Sequence, residues 1–323
     1  MPCQTSQSLF SLTIDPVPQV LPISRTETRN ESQARAFDVP KPLALWHLSS
    51  LDAPTVALVW SLAFAWAAGV TLPRWIPALQ ALAVWSAYMG DRLLDARSAL
   101  RAAQPHQLRE RHLFHWRHRR IFVPLAVASA CVCALIVLFL MPAGARVRNS
   151  ILAVAALLYF TRVHFSSAET PFRPWLPLIT KELLVGLLFT AGCVLPSLSR
   201  ARTANPSIHS IWPLAGAALF FALLAWHNCH SIECWESSPT HSHRSRIFIH
   251  AAFLACAGLL LALILGPLQP RAAALVACGA ASALLLALLD RSRSRLTPVA
   301  LRAGADLVLL TPALLASFAL KLR

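Results

Sequence analysis

Most of this chain is written as long apolar runs set apart by short polar or basic stretches, and that pattern fixes the solvent it folds in. Nine runs approach the roughly 20 apolar residues that a helix needs to cross a hydrocarbon core about 30 Å thick. They cover residues 54–72, 75–95, 121–141, 148–164, 177–196, 211–233, 247–267, 271–289 and 299–320. The run at 148–164 is short, and only Pro73 and Pro270 separate two neighbouring pairs. The 323 residues are 56% hydrophobic and 13% charged, whereas a soluble domain carries about one quarter charged residues. A bilayer core offers backbone groups no water, so such runs must close their hydrogen bonds internally as helices. The expected fold is an all-α membrane protein of nine transmembrane helices over residues 43–323.

The formal net charge of +15 raises nucleic acid as a partner, but the placement of the charge points to a membrane surface instead. With nine spans, 21 Lys and Arg fall at the N-terminus and in alternate loops, and 8 on the opposite side. By the positive-inside rule the N-terminus is cytoplasmic and the C-terminus lies outside, in a multi-pass integral protein with no nucleic-acid role. Residues 1–42 mix Pro, Ser, Thr, Gln and Arg without periodicity and read as a disordered cytoplasmic tail without a signal-peptide pattern. Segment 43–53 reads as a short interfacial helix with Trp46 at headgroup depth, followed by Asp52 as N-cap and Pro54 in the first turn of span one. The eight cysteines follow no regular spacing and read as packing residues.

Two polar concentrations then fall on the cytoplasmic side, at the ends of the second and sixth runs. The first holds Asp91 and Asp95, with Arg97 and Arg101 after them and an Arg-rich stretch to residue 120 that reads as an amphipathic helix from Gln107 onward. Residues four apart share a helix face, and Mg²⁺ favours a few carboxylates together with phosphate oxygens. The second holds Asn228, Glu233 and Glu236, the two glutamates again on one face. Lys181 and Glu182 open span five, and Asp306 stands one turn after Arg302 in span nine, where a local ion pair is expected.

Together these features resemble the UbiA superfamily of intramembrane prenyltransferases over roughly residues 43–320. Asp91-Arg-Leu-Leu-Asp95 matches the second half of that family's N-D-x-x-D-x-x-x-D signature, while Ala87 and Tyr88 stand where the family has Asn and often Asp. Tyr159, Lys181 and the run to Gly186 form a second local likeness. The resemblance implies a bundle around a central cavity open to the cytoplasmic side. It also implies Mg²⁺-dependent transfer of a prenyl group from a prenyl diphosphate to an unspecified acceptor. Asp91 and Asp95 would hold Mg²⁺, with Glu233 and Glu236 as a second ligand set. Arg97, Arg101 and Lys181 would face the diphosphate, with Asn228 also in contact with substrate. Tyr88, Tyr159 and Trp226 would offer ring faces to the allylic cation.

Two other readings stay open. The departures at Ala87, Tyr88 and Asn228 suit a non-catalytic UbiA-like protein that binds a lipid or a partner. The histidines at 112, 115 and 118, at 227 and 230, and at 241 and 243 suit an iron-dependent membrane oxidase, because neutral imidazole ligates iron well. Their spacings do not match the HxxxH and HxxHH boxes of that class.

Overall fold

The computed structural model describes residues 40–101, 109–165, 180–204, 211–237 and 244–315. Residues 1–39 of the expected tail, and His241 and His243, lie outside the described residues. Among the described residues the chain is helical, with no strand. Eleven α-helices follow in order: α1 Lys41–Leu48, α2 Asp52–Ala67, α3 Trp75–Arg101, α4 Glu110–Arg117, α5 Arg119–Leu135, α6 Ala143–Phe165, α7 Lys181–Ala204, α8 Trp212–Ser237, α9 Arg244–Leu265, α10 Pro270–Ser292 and α11 Pro298–Leu307.

Each expected run overlaps a helix among the described residues, but the helices differ in kind and not all of them are long and apolar enough to span. Five are long and apolar enough to cross a membrane: α5 with the π-turn Ile136–Leu140 that extends it, α7, α8, α9 and α10. A sixth follows if α1 and α2, bent by 86° at their junction, make one broken span. These helices are compatible with a multi-pass integral membrane protein. Among the other expected spans, α3 is 27 residues long but carries Gln80, Asp91, Arg92, Asp95 and Arg97. Helix α6 opens with Arg146 and Arg148, and α11 is only 10 residues before a 3₁₀ turn at Val308–Leu310.

The α1–α2 corner shows how the sequence builds a sharp bend. Ser50 is fully buried with φ of +59°, a left-handed conformation that side chains other than Gly rarely adopt. The turn is held from outside by Trp85 Nε1, which donates to the Ser49 carbonyl at 3.1 Å, and by Ser50 Oγ, 3.2 Å from His115 Nε2. Asp52 was expected to cap α2 from outside. Instead Leu51 is the N-cap and Asp52 lies within the first turn, its carboxyl turned into the bundle.

The core is centred on α2, α8 and α10. Trp60 stacks on Phe221 with ring centroids 3.8 Å apart, and its indole donates to the Leu309 carbonyl at 2.9 Å, which pins the turn after α11. Phe220 fills a space that exists because two neighbours lack side chains: a Cβ on Gly258 or Gly279 would meet its ring at 2.5 or 2.7 Å. Gly186 of α7 lies against the backbone of Trp226 on α8, where a Cβ would stand 2.8 Å from the Trp226 nitrogen. Close approach through small residues is how helices pack when lipid supplies no hydrophobic drive between them. The opposite surfaces are as apolar as the core, with Phe139, Ile151, Phe253 and Leu263 between 74% and 79% exposed. That surface suits acyl chains rather than water.

Candidate functional site

A cavity of about 1440 Å³ runs between α2, α3, α6, α7 and α8 and receives the start of α4 and part of α11. Most of its wall is apolar, from residues such as Leu79, Val84, Leu152, Val185 and Phe189. One end gathers charge, because the last turns of α3 and α8 meet the first turns of α4 and α7 there. Asp91, Asp95, Arg109, Arg111, Lys181, Glu182 and Glu233 all line it, with Tyr88, Tyr159 and Asn228 beside them. A helix length away along α6 and α7, the cavity also reaches Arg148, Asn149, Arg200 and Thr203. Of the residues singled out from sequence, the structure therefore brings Asp91, Asp95, Lys181, Glu233, Tyr88, Tyr159 and Asn228 to one space.

The second acidic pair is engaged by arginines. Arg109 lies 3.6 Å from Glu233 and also contacts Glu236, and Glu236 contacts Arg302, which is only 7% exposed. Helices α4, α8 and α11 are thus tied together across the charged end. The local Arg302–Asp306 pair expected from spacing is replaced by this longer-range contact. Asp95 faces His112 at 3.9 Å. Burial pushes His112 down to about 3, with the Arg111 and Arg92 charges acting in the same direction. It pushes His115 down to about 4, against the bond His115 makes to the Arg111 carbonyl, so both rings are neutral at pH 7. Burial, reinforced by Arg92 and Arg109, brings Arg111 down to about 10, still a full positive charge at the cavity wall.

Beneath this rim lies a polar cluster that sequence reasoning did not assemble. His47 Nδ1 sits 2.6 Å from Asp52 Oδ2, and Arg92 Nη2 is 3.8 Å from the same oxygen. Arg92 Nη1 donates to the His47 carbonyl at 3.2 Å, and its guanidinium lies 5.9 Å from the Tyr88 ring centroid. Asp306 of α11 joins from the far side, taking a bond from Asn228 Nδ2 at 3.3 Å. His47, Asp52, Arg92 and Asn228 are each at most 4% exposed. The available signal was Asp52 itself: ionisable residues inside apolar segments are costly and mark function.

Other expected residues fall elsewhere. Arg97 is exposed and not part of the cavity wall. Arg101 ends α3, and its side chain lies outside the described residues. Trp226 is absent from the wall and stacks instead on His230, with centroids 5.8 Å apart. His112, His115 and His118 point to separate partners, and His227 and His230 face His250 and Cys234. Among the described residues neither set converges as an iron site would. The described cysteines are all free thiols. No protein-family model, curated protein or solved structure matches this chain.

Proposed function

We propose that this chain is a UbiA-like intramembrane prenyltransferase that binds a prenyl diphosphate with its charged head at the Asp91/Asp95 end of the cavity. In this reading all nine expected runs cross the bilayer, including the polar α3 and the short α11. The N-terminus is then cytoplasmic and the C-terminus outside. The observation that carries the reading is the cavity itself. A mostly apolar space of about 1440 Å³ ends in carboxylates and cations drawn from α3, α4, α7 and α8, which is the shape of an amphiphile with an anionic head.

Asp91 and Asp95 offer hard oxygen donors on one helix face, and this donor set fits Mg²⁺ shared with diphosphate oxygens. When bound, Mg²⁺ supplies neutralisation of the leaving diphosphate. Lys181 and Arg111 add fixed positive charge where negative charge grows in the transition state. Tyr88 and Tyr159 line the wall where the prenyl chain would start, and their ring faces favour the cationic carbon. The apolar remainder excludes water from that carbon.

One observation favours a second reading, a non-catalytic lipid-binding protein. Glu233 and Glu236 are held by Arg109 and Arg302, so the second acidic set is already neutralised by protein. The two readings separate on Asp91→Asn and Asp95→Asn, which remove a charged ligand with almost no change in shape. For the enzyme, Mg²⁺-dependent binding of farnesyl diphosphate to purified protein falls at least tenfold in each variant, as loss of a charge-assisted contact of about 1.5–3 kcal/mol requires. Wild-type binding in both variants would sink the prenyltransferase reading and leave the lipid-binding one.

A further inference from the structure

We infer that His47, Asp52 and Asp306 form a binding site for one divalent transition-metal cation of the zinc class, separate from the Asp91/Asp95 pair. One donor atom from each lies within 4.8 Å of the other two. The three come from α1, α2 and the distant α11, so the bundle fold assembles the set and a single helix does not. An imidazole nitrogen with two carboxylate oxygens suits Zn²⁺ and its first-row neighbours, whereas Mg²⁺ keeps to oxygen. In the tetrahedral geometry of Zn²⁺, bonds of about 2.0–2.2 Å put donors roughly 3.3–3.6 Å apart, so shifts of about an ångström close the set.

Two further observations point to a ligand. Asn228 is 4% exposed and joined to the cluster through its amide nitrogen, yet its buried Oδ1 has no hydrogen-bond partner. An acceptor left without a donor at that depth costs about 1–3 kcal/mol unless something fills it. A cation, or a water on a cation, does so. The charge count agrees: two carboxyls meet a single guanidinium, that of Arg92. A proton, on His47 or held between the carboxyls, or a metal ion completes the balance, and the ion also serves the Asn228 oxygen.

The site has the supports that metal centres require. Asp52 Oδ1 is oriented by the Ala53 amide at 2.9 Å, and the His47 backbone by Arg92. Entry is open, because His47, Asn228 and Asp306 all line the cavity. Asp52 is not part of the cavity wall and would fix the ion to the scaffold from behind it. Its place beneath Tyr88 and Arg92 puts the bound ion under the charged end, where it would set the shape and charge of the cavity floor.

The test uses purified full-length protein in detergent, with any affinity tag removed and metals stripped by a chelator. Zn²⁺ is titrated calorimetrically, and Co²⁺ is added as a visible spectroscopic probe of an ordered coordination sphere. The expected result is about one equivalent of Zn²⁺ at micromolar or tighter affinity, with Co²⁺ bands that Zn²⁺ abolishes and excess Mg²⁺ does not. His47→Gln and Asp306→Asn each weaken binding by at least 10- to 100-fold, while Asp91→Asn leaves it unchanged. Absence of saturable binding to the wild-type protein overturns the site whatever the variants do. Equal binding by wild type and by folded His47→Gln and Asp306→Asn overturns it too. Saturable Zn²⁺ binding with wild-type farnesyl diphosphate binding in both Asp91→Asn and Asp95→Asn fails the prenyltransferase reading alone, and diphosphate binding that depends on Asp91 without any Zn²⁺ binding fails this site alone.

Discussion

The Asp91/Asp95 rim and the His47–Asp52–Asp306 cluster lie at the same end of one cavity, but the chain builds them in opposite ways. The rim is local: two carboxylates one turn apart on α3, with Asp95 about 44% exposed and facing His112. The cluster is non-local: residues from α1, α2, α3, α8 and α11, nearly all of them withdrawn from solvent. Water shares the work of stabilising charge at the rim, so a ligand can take over part of that work there. In the cluster each charge depends on its protein neighbours, and the same groups hold the ends of five helices together.

That contrast gives the largest expected difference between two otherwise equivalent substitutions. Asp52→Asn leaves Arg92, 4% exposed, as a buried charge with its closest carboxylate gone. Breaking a buried pair from one side typically costs about 3–5 kcal/mol. Asp91→Asn, at the cavity wall, costs no more than about 1 kcal/mol. Thermal unfolding in detergent measures both. Equal losses would erase the distinction between a scaffold cluster and a ligand rim.

Sequence reading found the rim because its signal is periodic: Asp91 and Asp95, then Glu233 and Glu236, show on a helical wheel without any fold. It also located the helices, since long apolar runs decide position along the chain. It missed the cluster because His47, Asp52 and Asp306 are separated by up to 259 positions, and no local pattern links α1 to α11. Asp52 looked like a cap because Asp before Pro at a helix start usually is one. Here His47, five residues earlier, draws the carboxyl inward instead. Trp226 was placed in the cavity on residue type alone. Its helix turns that face toward α7 and His230, while Ala225 and Asn228 face the space.

A smaller effect comes from the contact that spaces the two regions. Gly186 lets α7 approach α8 beside Trp226, two residues before Asn228 of the cluster and five after Lys181 of the rim. In Gly186→Ala the new Cβ meets backbone, which cannot rotate away as a side chain would, so α7 must move out. Overpacking of this kind costs about 1–3 kcal/mol. The comparison is sharpened by asking which region feels the shift. If the rim is the adaptable part, farnesyl diphosphate affinity changes severalfold while Zn²⁺ affinity, set by α1, α2 and α11, holds. The opposite outcome would make α8, through Asn228, a determinant of the metal site.

The smallest effect is a pH dependence that reaches the cluster's corner through His115 and the rim through His112. His115 is fully buried; its Nδ1 donates to the Arg111 carbonyl at 2.7 Å, and its Nε2 accepts from Ser50 in the turn between His47 and Asp52. Burial holds its pKa near 4, below the value of about 6.5 for the exposed ring. Between those values the unfolded chain binds a proton that the folded chain refuses, so stability rises with pH there. The contribution is complete above about pH 6.5 and is lost progressively as pH falls toward 4. Through His115 alone, acidifying from about pH 7.5 to 6 should lower Tm by about 2–4 °C, the shift expected for about 1 kcal/mol in a chain of some 150–250 residues, and His112 adds to the wild-type slope. His115→Gln keeps a donor and an acceptor but does not titrate in this range, so its Tm should be flatter over the same interval. If His115→Gln retains the full wild-type slope, the acid sensitivity arises elsewhere, and the Ser50 corner is not the point at which pH reaches the cluster.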